Sequence, residues 1–214
     1  AKLLETQGLK AIQPKSFRPR TTNSRHRLGY NSNLLRERET PQRINEVWVG
    51  DITYIPLHGG RFGYLFLLMD LYSRRVVGWE YQDSMTDALV LSSLKKAIRE
   101  RQPATGLIHH TDRGGEYASH SYRDLLRRAS MLQSMSGVGN CYDNAFMESC
   151  FGTLKTELEL TEYADSVEAV RELSAYLHYY NQDRSHSSLD YLTPVDFELR
   201  TTVPILRTCT VRAT

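Results

Sequence analysis

Three apolar runs with the texture of strands follow one another closely, and their short connections limit how they can pair. The runs are Val47–Leu57, Gly63–Tyr72 and Arg74–Tyr81. A turn at His58-Gly59-Gly60 separates the first run from the second, and a polar turn at Tyr72-Ser73-Arg74 separates the second from the third. Strands joined by such short connections pair antiparallel. The sequence therefore predicts an antiparallel meander here.

Helices and strands alternate after the meander. The predicted elements are a helix over Ala88–Arg101, a strand over Leu107–His110, a helix over His120–Ala129, a strand over Met131–Met135, a helix over Tyr142–Thr161 and a helix with Asp165 as its N-cap. Such an order builds a mixed sheet with helices packed on its faces. A chain of 214 residues can bury a core of this kind. The prediction is an α/β fold, with a five-stranded mixed sheet flanked by helices.

Charge is unevenly distributed along the chain. Residues 1–43 hold ten Lys or Arg and three Glu, whereas residues 44–214 hold 17 basic and 22 acidic residues. Pro14, Pro19 and Pro41 interrupt the basic part, which has little periodicity and is typical of a linker. A basic segment beside an acidic body indicates binding to a polyanion. Residues 1–45 are therefore interpreted as a basic arm, with a solvated leader as the alternative.

Several protein classes are disfavoured. No apolar run is long enough to cross a bilayer, and no secretory signal opens the chain. Cys141, Cys150 and Cys209 are odd in number and lack CxxC spacing, which disfavours disulfides or structural zinc and fits a reducing cytoplasm. Because the chain begins without Met, we expect it to be a piece of a longer protein.

Two aspartates stand in or directly after apolar strands. Asp51 lies within VWVGDITYIPL and shares a strand face with Val49 and Thr53, because side chains alternate along a strand. A carboxylate there is costly unless it is paired or bound to a metal. Asp112 ends GLIHHTD and precedes Gly114-Gly115, where the backbone can turn sharply and approach a ligand. Taken singly, Asp51 could equally be a strand-end residue or a surface acid, and an aspartate placed like Asp112 is more commonly a plain turn residue.

Glu148 lies on a predicted helix beside its apolar stripe, which consists of Met147, Phe151, Leu154 and Leu158. Asn144 and Lys155, four positions before Glu148 and seven after it, share its side of the helix. A solvated helix Glu is the usual role of this residue type. With Asp51 and Asp112, however, it completes a set of oxygen ligands that could hold two divalent metal ions over a phosphodiester.

Other side chains compete for these roles. Asp70 directly precedes a hairpin turn, so a turn or capping role is predicted. Glu157 falls about 180° round the helix from Glu148 and is predicted to be an exposed charge. His109 and His110 point to opposite sides of a strand, so they cannot both bind one ion, and a packing role is favoured. The remaining competitors, close in sequence to the chosen acids, are Glu116 and Asp143.

Six stretches of the chain together resemble one family. They are WVGDITYI, LLMDLYSRRVVGW, HHTDRGGEY, SMSGVGNCYDNAFMES, FGTLKTEL and YYNQDRSHSSLDYLTPVDF. Their order is very specific, with 35 residues between Asp112 and Glu148 and a basic residue seven positions after the glutamate. From about Glu46 to Phe197 the chain resembles the DDE transposases of the bacterial insertion sequence 3 family, whose catalytic core is shared with retroviral integrases.

The resemblance implies an RNase H-like core at 46–199 and a C-terminal tail at 200–214, with a remnant of an upstream helical DNA-binding domain in the arm. It implies that Asp51, Asp112 and Glu148 are catalytic and bind two Mg²⁺ or Mn²⁺ ions. The implied reaction is strand cleavage at insertion-sequence ends followed by 3′-OH strand transfer. The implied partners are double-stranded inverted repeats and target DNA, bound by a homodimer or larger complex at the nucleoid of a bacterial cytoplasm, with no membrane.

Further residues are expected to contact DNA. Lys155 is predicted to lie near the cleaved phosphate, and Asn144 to orient the catalytic glutamate or a phosphate. Arg184 and His186, within Tyr179–Tyr191, form either another DNA-facing surface or the polar ends of core tyrosines. The predicted backbone-phosphate contacts are Arg113 and, in the arm, Arg18, Arg20, Arg25 and Arg27.

Two other functions stay open. A catalytically silent module that binds transposon ends would be marked by the loss of one acid, and the sequence keeps all three. A generic RNase H-type nuclease would have no obvious use for the basic arm or for Lys155.

Overall fold

A computed structural model describes residues 28–36, 38–137, 145–158 and 162–202 of the chain. Its strands are β1 (Val47–Leu57), β2 (Arg61–Asp70), β3 (Val76–Gln82), β4 (Ile108–Thr111) and β5 (Leu132–Met135). Its helices are α1 (Asp87–Arg101), α2 (Gly115–Ala118), α3 (His120–Arg128), α4 (Ala145–Glu157), α5 (Ser166–Gln182) and α6 (Pro194–Thr202). The predicted order of strands and helices is confirmed.

All five strands form one mixed sheet in the order β3-β2-β1-β4-β5. β1 pairs antiparallel with β2, and β2 pairs antiparallel with β3, as the short connections predicted. β4 pairs parallel with both β1 and β5. β1 is therefore the central strand. Its pairing with β4 covers only Val47 to Gly50, whereas its pairing with β2 runs on to Leu57.

Apolar side chains fill both faces of the sheet, since alternate residues of β1 point to opposite sides. On one face, Val49 and Ile55 belong to a buried cluster with Met147 and Leu154 of α4, and this cluster includes α5. On the other face, Trp48 belongs to a second cluster that includes α1, α2 and α3. The helices on both faces therefore exclude water from the sheet, as predicted.

The turn between β2 and β3 shows why β3 begins later than expected. The Asp70 carboxylate accepts hydrogen bonds from the amides of Tyr72 and Ser73, both at 3.0 Å, and from Asn45, so its predicted turn role is confirmed. Arg74 has a positive φ of 60°, which extended strands do not adopt. The strand therefore starts at Val76 and not at Arg74.

The predicted N-cap of α5 is confirmed, whereas the bounds of α4 differ from the prediction. Asp165 caps α5 by accepting hydrogen bonds from the amides of Val167 and Glu168 at 2.9 Å. The Glu168 carboxylate accepts in return from the amide of Ala164 at 2.7 Å, so it bonds the residue before the N-cap, whereas a capping box bonds the N-cap amide itself. α4 spans Ala145–Glu157, one residue short of Leu158, which is a turn residue, and the other residues that the prediction added, 142–144 and 159–161, lie outside the described part.

The described end of the arm packs along the sheet. The Leu34 amide donates to Ser134 Oγ at 2.9 Å, and the Met135 amide donates to the Ser32 carbonyl at 3.4 Å. This portion therefore covers the outer edge of β5 and is not an extended free linker. The predicted helix at 1–12 lies outside the described residues. Among the helices that the structure describes, none combines the length and the apolar character that a membrane crossing requires.

A buried charged cluster fastens α6 to the sheet. The Glu198 carboxylate accepts hydrogen bonds from Arg75 at 2.6 Å, from Arg101 at 2.7 and 2.8 Å, and from the Ser73 hydroxyl at 2.8 Å. Burial alone would raise the pKa of Glu198. The hydrogen bonds and charge of Arg101, with the hydrogen bonds of Arg75 and Ser73, outweigh burial and lower that pKa. We call these four residues the Glu198 clasp.

Candidate active site

Asp51 lies on the central strand where β1 loses its parallel partner. Its Cα is opposite Leu67 of β2, and β4 pairs only as far as Gly50. Asp51 is half-buried, and its Oδ1 accepts a hydrogen bond from the amide of Ile52 at 2.8 Å. By alternation it shares a face with Val49 and Ile55, which pack against α4. Its carboxylate therefore faces the side of the sheet that α4 covers.

Asp112 is the residue directly after β4, at the level of Asp51. Gly50 is paired with Thr111, so the next residue on each strand is one of the two aspartates. Asp112 Oδ1 accepts a hydrogen bond from the Gly114 amide at 2.8 Å. Because the carboxyl ends of parallel strands open at the same edge of a sheet, the two carboxylates share one side of the fold.

The pKa of Tyr117 is affected by both aspartates. It is buried between the sheet and α3, and burial is the main cause that raises its pKa well above the ordinary value. The charges of Asp112 and Asp51 are the next two causes, and both raise that pKa further. Both aspartates therefore add to the burial that disfavours ionisation of the Tyr117 hydroxyl.

Glu148 occupies the first turn of α4 and is exposed. Met147, Phe151 and Leu154 on the same helix are buried, so the predicted position at the rim of the core is confirmed. However, no group of three or more His, Cys, Asp or Glu side chains in the described residues is close enough to hold a metal ion. The predicted convergence of all three carboxylates is thus not present in this structure. Carboxylates repel one another, and cations are needed to hold three of them together.

Lys155 lies two helical turns from Glu148 and reaches the free edge of β1. Its ammonium is 4.3 Å from the centre of the Tyr54 ring. That distance is typical of a cation–π contact. Lys155 therefore places a positive charge on the same helix as Glu148, beside the strand that carries Asp51.

The two arginines predicted to meet DNA within the described residues both have protein contacts. Arg113 Nε donates to the Ser136 carbonyl at 2.8 Å, and its guanidinium is 4.8 Å from the centre of the Tyr30 ring. Arg184 donates to both oxygens of Glu157 at 2.7 to 3.0 Å. Glu157 is exposed as predicted, but its charge is balanced by Arg184. The other predicted contacts, Asn144, Arg18, Arg20, Arg25 and Arg27, lie outside the described residues.

The two histidines before Asp112 have the packing roles that alternation predicted. His109 hydrogen-bonds through Nε2 to the Tyr122 hydroxyl on one face of the sheet. His110 Nδ1 lies 2.8 Å from Ser134 Oγ of β5. Both are fully buried, and burial lowers the pKa of His109 to about 4. They support β4, the strand that ends one residue before Asp112.

Glu116 is a further acidic residue at this edge, and sequence reasoning left it as a competitor without a role. It is 8% exposed, and its Oε2 has no hydrogen-bond partner among the described residues. A Cβ placed on Gly114 would collide with Glu116 Oε2 and lie 3.1 Å from Asp112 Oδ1. Burial is the largest cause that raises the pKa of Glu116, and the charges of Asp112 and Asp87 raise it further. Together they outweigh the hydrogen bond from its own backbone, which lowers that pKa. The DRGGEY stretch therefore folds a second acid against Asp112.

Comparisons of the sequence with known proteins find an integrase core domain and related insertion-sequence proteins. Models of the integrase core domain match residues 41–141 and 129–194. The chain is 39% identical over 199 residues to the 31 kDa protein of insertion element IS600 from Shigella sonnei, covering 92% of this chain and 72% of that protein. It is 45% identical over 156 residues to the IS904 transposase of Lactococcus lactis, covering 72% of this chain and 61% of the transposase.

A third relative, transposase InsF for insertion sequence IS3A of Escherichia coli, is 38% identical over 199 residues, with 91% of this chain and 68% of that protein covered.

Solved structures share the fold at low identity. An integrase chain in the simian T-cell lymphotropic virus intasome structure matches with a TM-score of 0.65 and 20% identity over 87% of this chain and 63% of that one. The HTLV-2 integrase catalytic core domain, in complex with magnesium, matches with a TM-score of 0.59 and 17% identity over 73% of this chain and 98% of that one. The fold is thus the RNase H-like fold of integrase cores, and the chain belongs to the family of bacterial insertion-sequence transposases with an integrase core domain.

Proposed function

We propose that this chain is the catalytic part of a DNA transposase that cleaves one strand at an insertion-sequence end and joins the freed 3′-OH to another DNA strand. The observation that carries the proposal is the placement of Asp51 and Asp112 directly after the last paired residues, Gly50 and Thr111, of the neighbouring parallel strands β1 and β4. Asp51 shares its strand face with Val49 and Ile55, which pack against α4, the helix that bears Glu148.

The donor chemistry at this edge fits Mg²⁺ or Mn²⁺. Hard divalent cations take carboxylate oxygens and complete their shells with water and substrate phosphate. Asp51 and Asp112 would supply the protein ligands from the sheet, and Glu148 would complete the set when the first turn of α4 approaches them. When bound, two such ions activate the attacking oxygen and stabilise charge on the leaving oxygen.

The chain itself positions the reacting groups. In the joining step, the oxygen of a 3′-OH forms a bond to phosphorus while the bond from phosphorus to the leaving 3′ oxygen breaks. The attacking oxygen loses a proton, and the leaving oxygen gains one. Lys155, on the same helix face as Glu148, would contact a non-bridging phosphate oxygen beside the cleaved bond. Asn144 would orient Glu148 or that phosphate.

Double-stranded DNA is the proposed partner, as inverted repeats and as target. The arm at 1–45, with Arg18, Arg20, Arg25 and Arg27, would contact backbone phosphates, and Arg113 would do so from the end of β4. Because a transposition reaction joins two DNA ends, we propose a dimer or larger assembly in the bacterial nucleoid. The HTLV-2 integrase core that shares the fold is described in dimeric and trimeric forms.

A strand-joining assay with Mg²⁺ and labelled element-end duplexes tests the proposal. Asp51→Asn, Asp112→Asn and Glu148→Gln should each lower joining by about a hundredfold to a thousandfold or more, because each removes a charge needed by the metal ions but keeps the side-chain shape. The matched control is Asp124→Asn, an acid of α3 whose partner is Arg127. Near-normal joining by any of the three variants would remove that residue from the site.

A catalytically silent end-binding module is the second candidate, although the chain keeps all three acids. The same assay separates the two. A silent module would bind the element-end duplex but would show no metal-dependent joining even in the unaltered chain.

A further inference from the structure

A groove on the α4 side of the molecule lies outside the candidate active site and is rich in hydrogen-bond donors. Its walls are α4 and the connection between α5 and α6, and its volume is about 520 Å³. The polar side chains that define it are Arg74, Ser149, Thr153, His186, Ser187 and Ser188. We call it the Arg74 groove. It contains no acidic side chain among its lining residues in the described part of the chain.

Arg74 supplies a cation that the protein does not fully neutralise. Its guanidinium lies 4.2 Å above the ring of Phe146 of α4, and its Nη1 is buried without a hydrogen-bond partner among the described residues. The carboxylate that acts on Arg74 electrostatically is that of Asp70, which is already held by three backbone amides. A buried donor without a partner is costly in free energy, and an anionic ligand would relieve that cost.

His186 is a second donor in the same groove. It is 8% exposed, its ring packs edge-on against Tyr180 at 4.7 Å, and its Nε2 has no hydrogen-bond partner among the described residues. Arg184 Nη1 lies 3.4 Å from His186 Nδ1, and Arg74 lines the same groove, so the three basic groups are neighbours. Since Glu157 balances Arg184, the unbalanced positive charge of the groove comes from Arg74.

We infer that the Arg74 groove binds a phosphate of the DNA backbone. A guanidinium, an imidazole and several hydroxyls are the donors that recognise phosphate oxygens. Ser149 follows Glu148 directly on α4, and Thr153 lies one turn further along. A DNA strand held at Glu148 would therefore run past this groove. The inference rests on the proposed function, and the volume leaves room for a sugar beside the phosphate.

Substitutions in the intact chain test this inference through binding alone. Affinity for a labelled duplex, carrying either the element end or an unrelated sequence, is measured across a salt series in a chelating buffer. Arg74→Gln should weaken binding to both duplexes by about tenfold, because a charge-assisted contact is lost. It should also lower the slope of log affinity against log salt by about one. Arg74→Lys should restore the slope.

A second variant tests the groove independently, in case Arg74→Gln does not fold. Ser188 is exposed, so Ser188→Glu adds a negative charge to the groove without disturbing the core and should also weaken binding to both duplexes. The matched controls are Arg171→Gln on α5 and Ser121→Glu on α3, which are exposed and outside the groove. Both controls should bind like the unaltered chain.

The outcomes separate this inference from the proposed function. If the unaltered chain binds DNA and both groove variants keep its affinity and slope, the groove is not a DNA contact, while the proposed function stands. A loss confined to one duplex would overturn the backbone assignment, because backbone contacts carry no sequence information. If the unaltered chain binds neither duplex, both proposals fail.

Discussion

Glu198 and Glu116 are both buried glutamates, 5% and 8% exposed, but their surroundings differ completely. Glu198 accepts hydrogen bonds from two arginines and a serine, and its pKa is lowered. Glu116 has an oxygen without a partner among the described residues and lies beside Asp112, and its pKa is raised. A buried charge that is fully paired serves stability, whereas one left unpaired next to other acids is costly in the folded state.

The contrast separates a structural end of the molecule from the proposed active site. The Glu198 clasp joins α6 to the turn between β2 and β3 and to α1. Asp51, Asp112 and Glu116 lie at a different kind of place, where the parallel pairing of β1 with β4 ends and Glu116 is buried beside Asp112. A buried acid with a raised pKa, such as Glu116, is typical of functional sites.

The largest expected effect is on the clasp. Glu198→Gln removes the partner of two arginines, of which the Arg101 side chain is only 14% exposed, and should lower the free energy of unfolding by roughly 3 kcal/mol. Urea denaturation at neutral pH measures this. The control is Glu80→Gln, whose exposed pair with Lys96 should contribute no more than about 1 kcal/mol. Equal losses in both variants would mean that the clasp is not a stabilising cluster.

The clasp should also respond to acid. Because the folded pKa of Glu198 is lowered from its ordinary 4.5, its stabilisation is complete above that value and is lost as pH falls through the folded pKa. The difference in stability between the unaltered chain and Glu198→Gln should therefore shrink below about pH 4.5. Urea titrations of the two proteins across acidic pH measure it. A difference that stays constant with pH would show that Glu198 gains no stability from its charge.

Glu116 should show the opposite sign and a smaller effect. Its folded pKa is raised above 4.5, so the unaltered chain loses stability as pH rises from 4.5 through the folded pKa. Glu116→Gln removes that loss and should gain stability relative to the unaltered chain over this window, in chelating buffer. Urea titration at several pH values checks it. A relative loss with rising pH would mean that Glu116 has a partner cation in solution.

The sequence predicted much of the fold because the relevant signals are local. Alternation along β1 and β4 gave the faces of Asp51, His109 and His110, and Asp70 was assigned correctly from the turn that follows it. The pairing of Glu198 with Arg101 and Ser73 could not be read in this way, since those residues are 97 and 125 positions away. No periodic pattern links residues at such separations.

The burial of single charged side chains could not be predicted from the sequence either. Glu116 appears polar in sequence, and only the turn at Gly114 folds it against Asp112. Arg184 was predicted either to face DNA or to lie at the polar ends of core tyrosines, and the sequence did not show that Glu157, 27 residues away, holds its guanidinium. The position of Glu148 relative to the aspartates depends on how α4 docks, which periodicity does not specify. Sequence patterns predicted which acids belong to the proposed active site, and tertiary packing sets where each of their carboxylates lies.

Metal binding tests the central assignment most directly. Calorimetric titration of the chain with Mn²⁺ should detect binding that Asp51→Asn and Asp112→Asn each weaken by about tenfold or more, because each removes a charged oxygen ligand. Asp124→Asn on α3 should bind Mn²⁺ like the unaltered chain. If Asp51→Asn and Asp112→Asn bind Mn²⁺ with unchanged affinity, the two aspartates do not form the metal site, and the proposed active site is wrong.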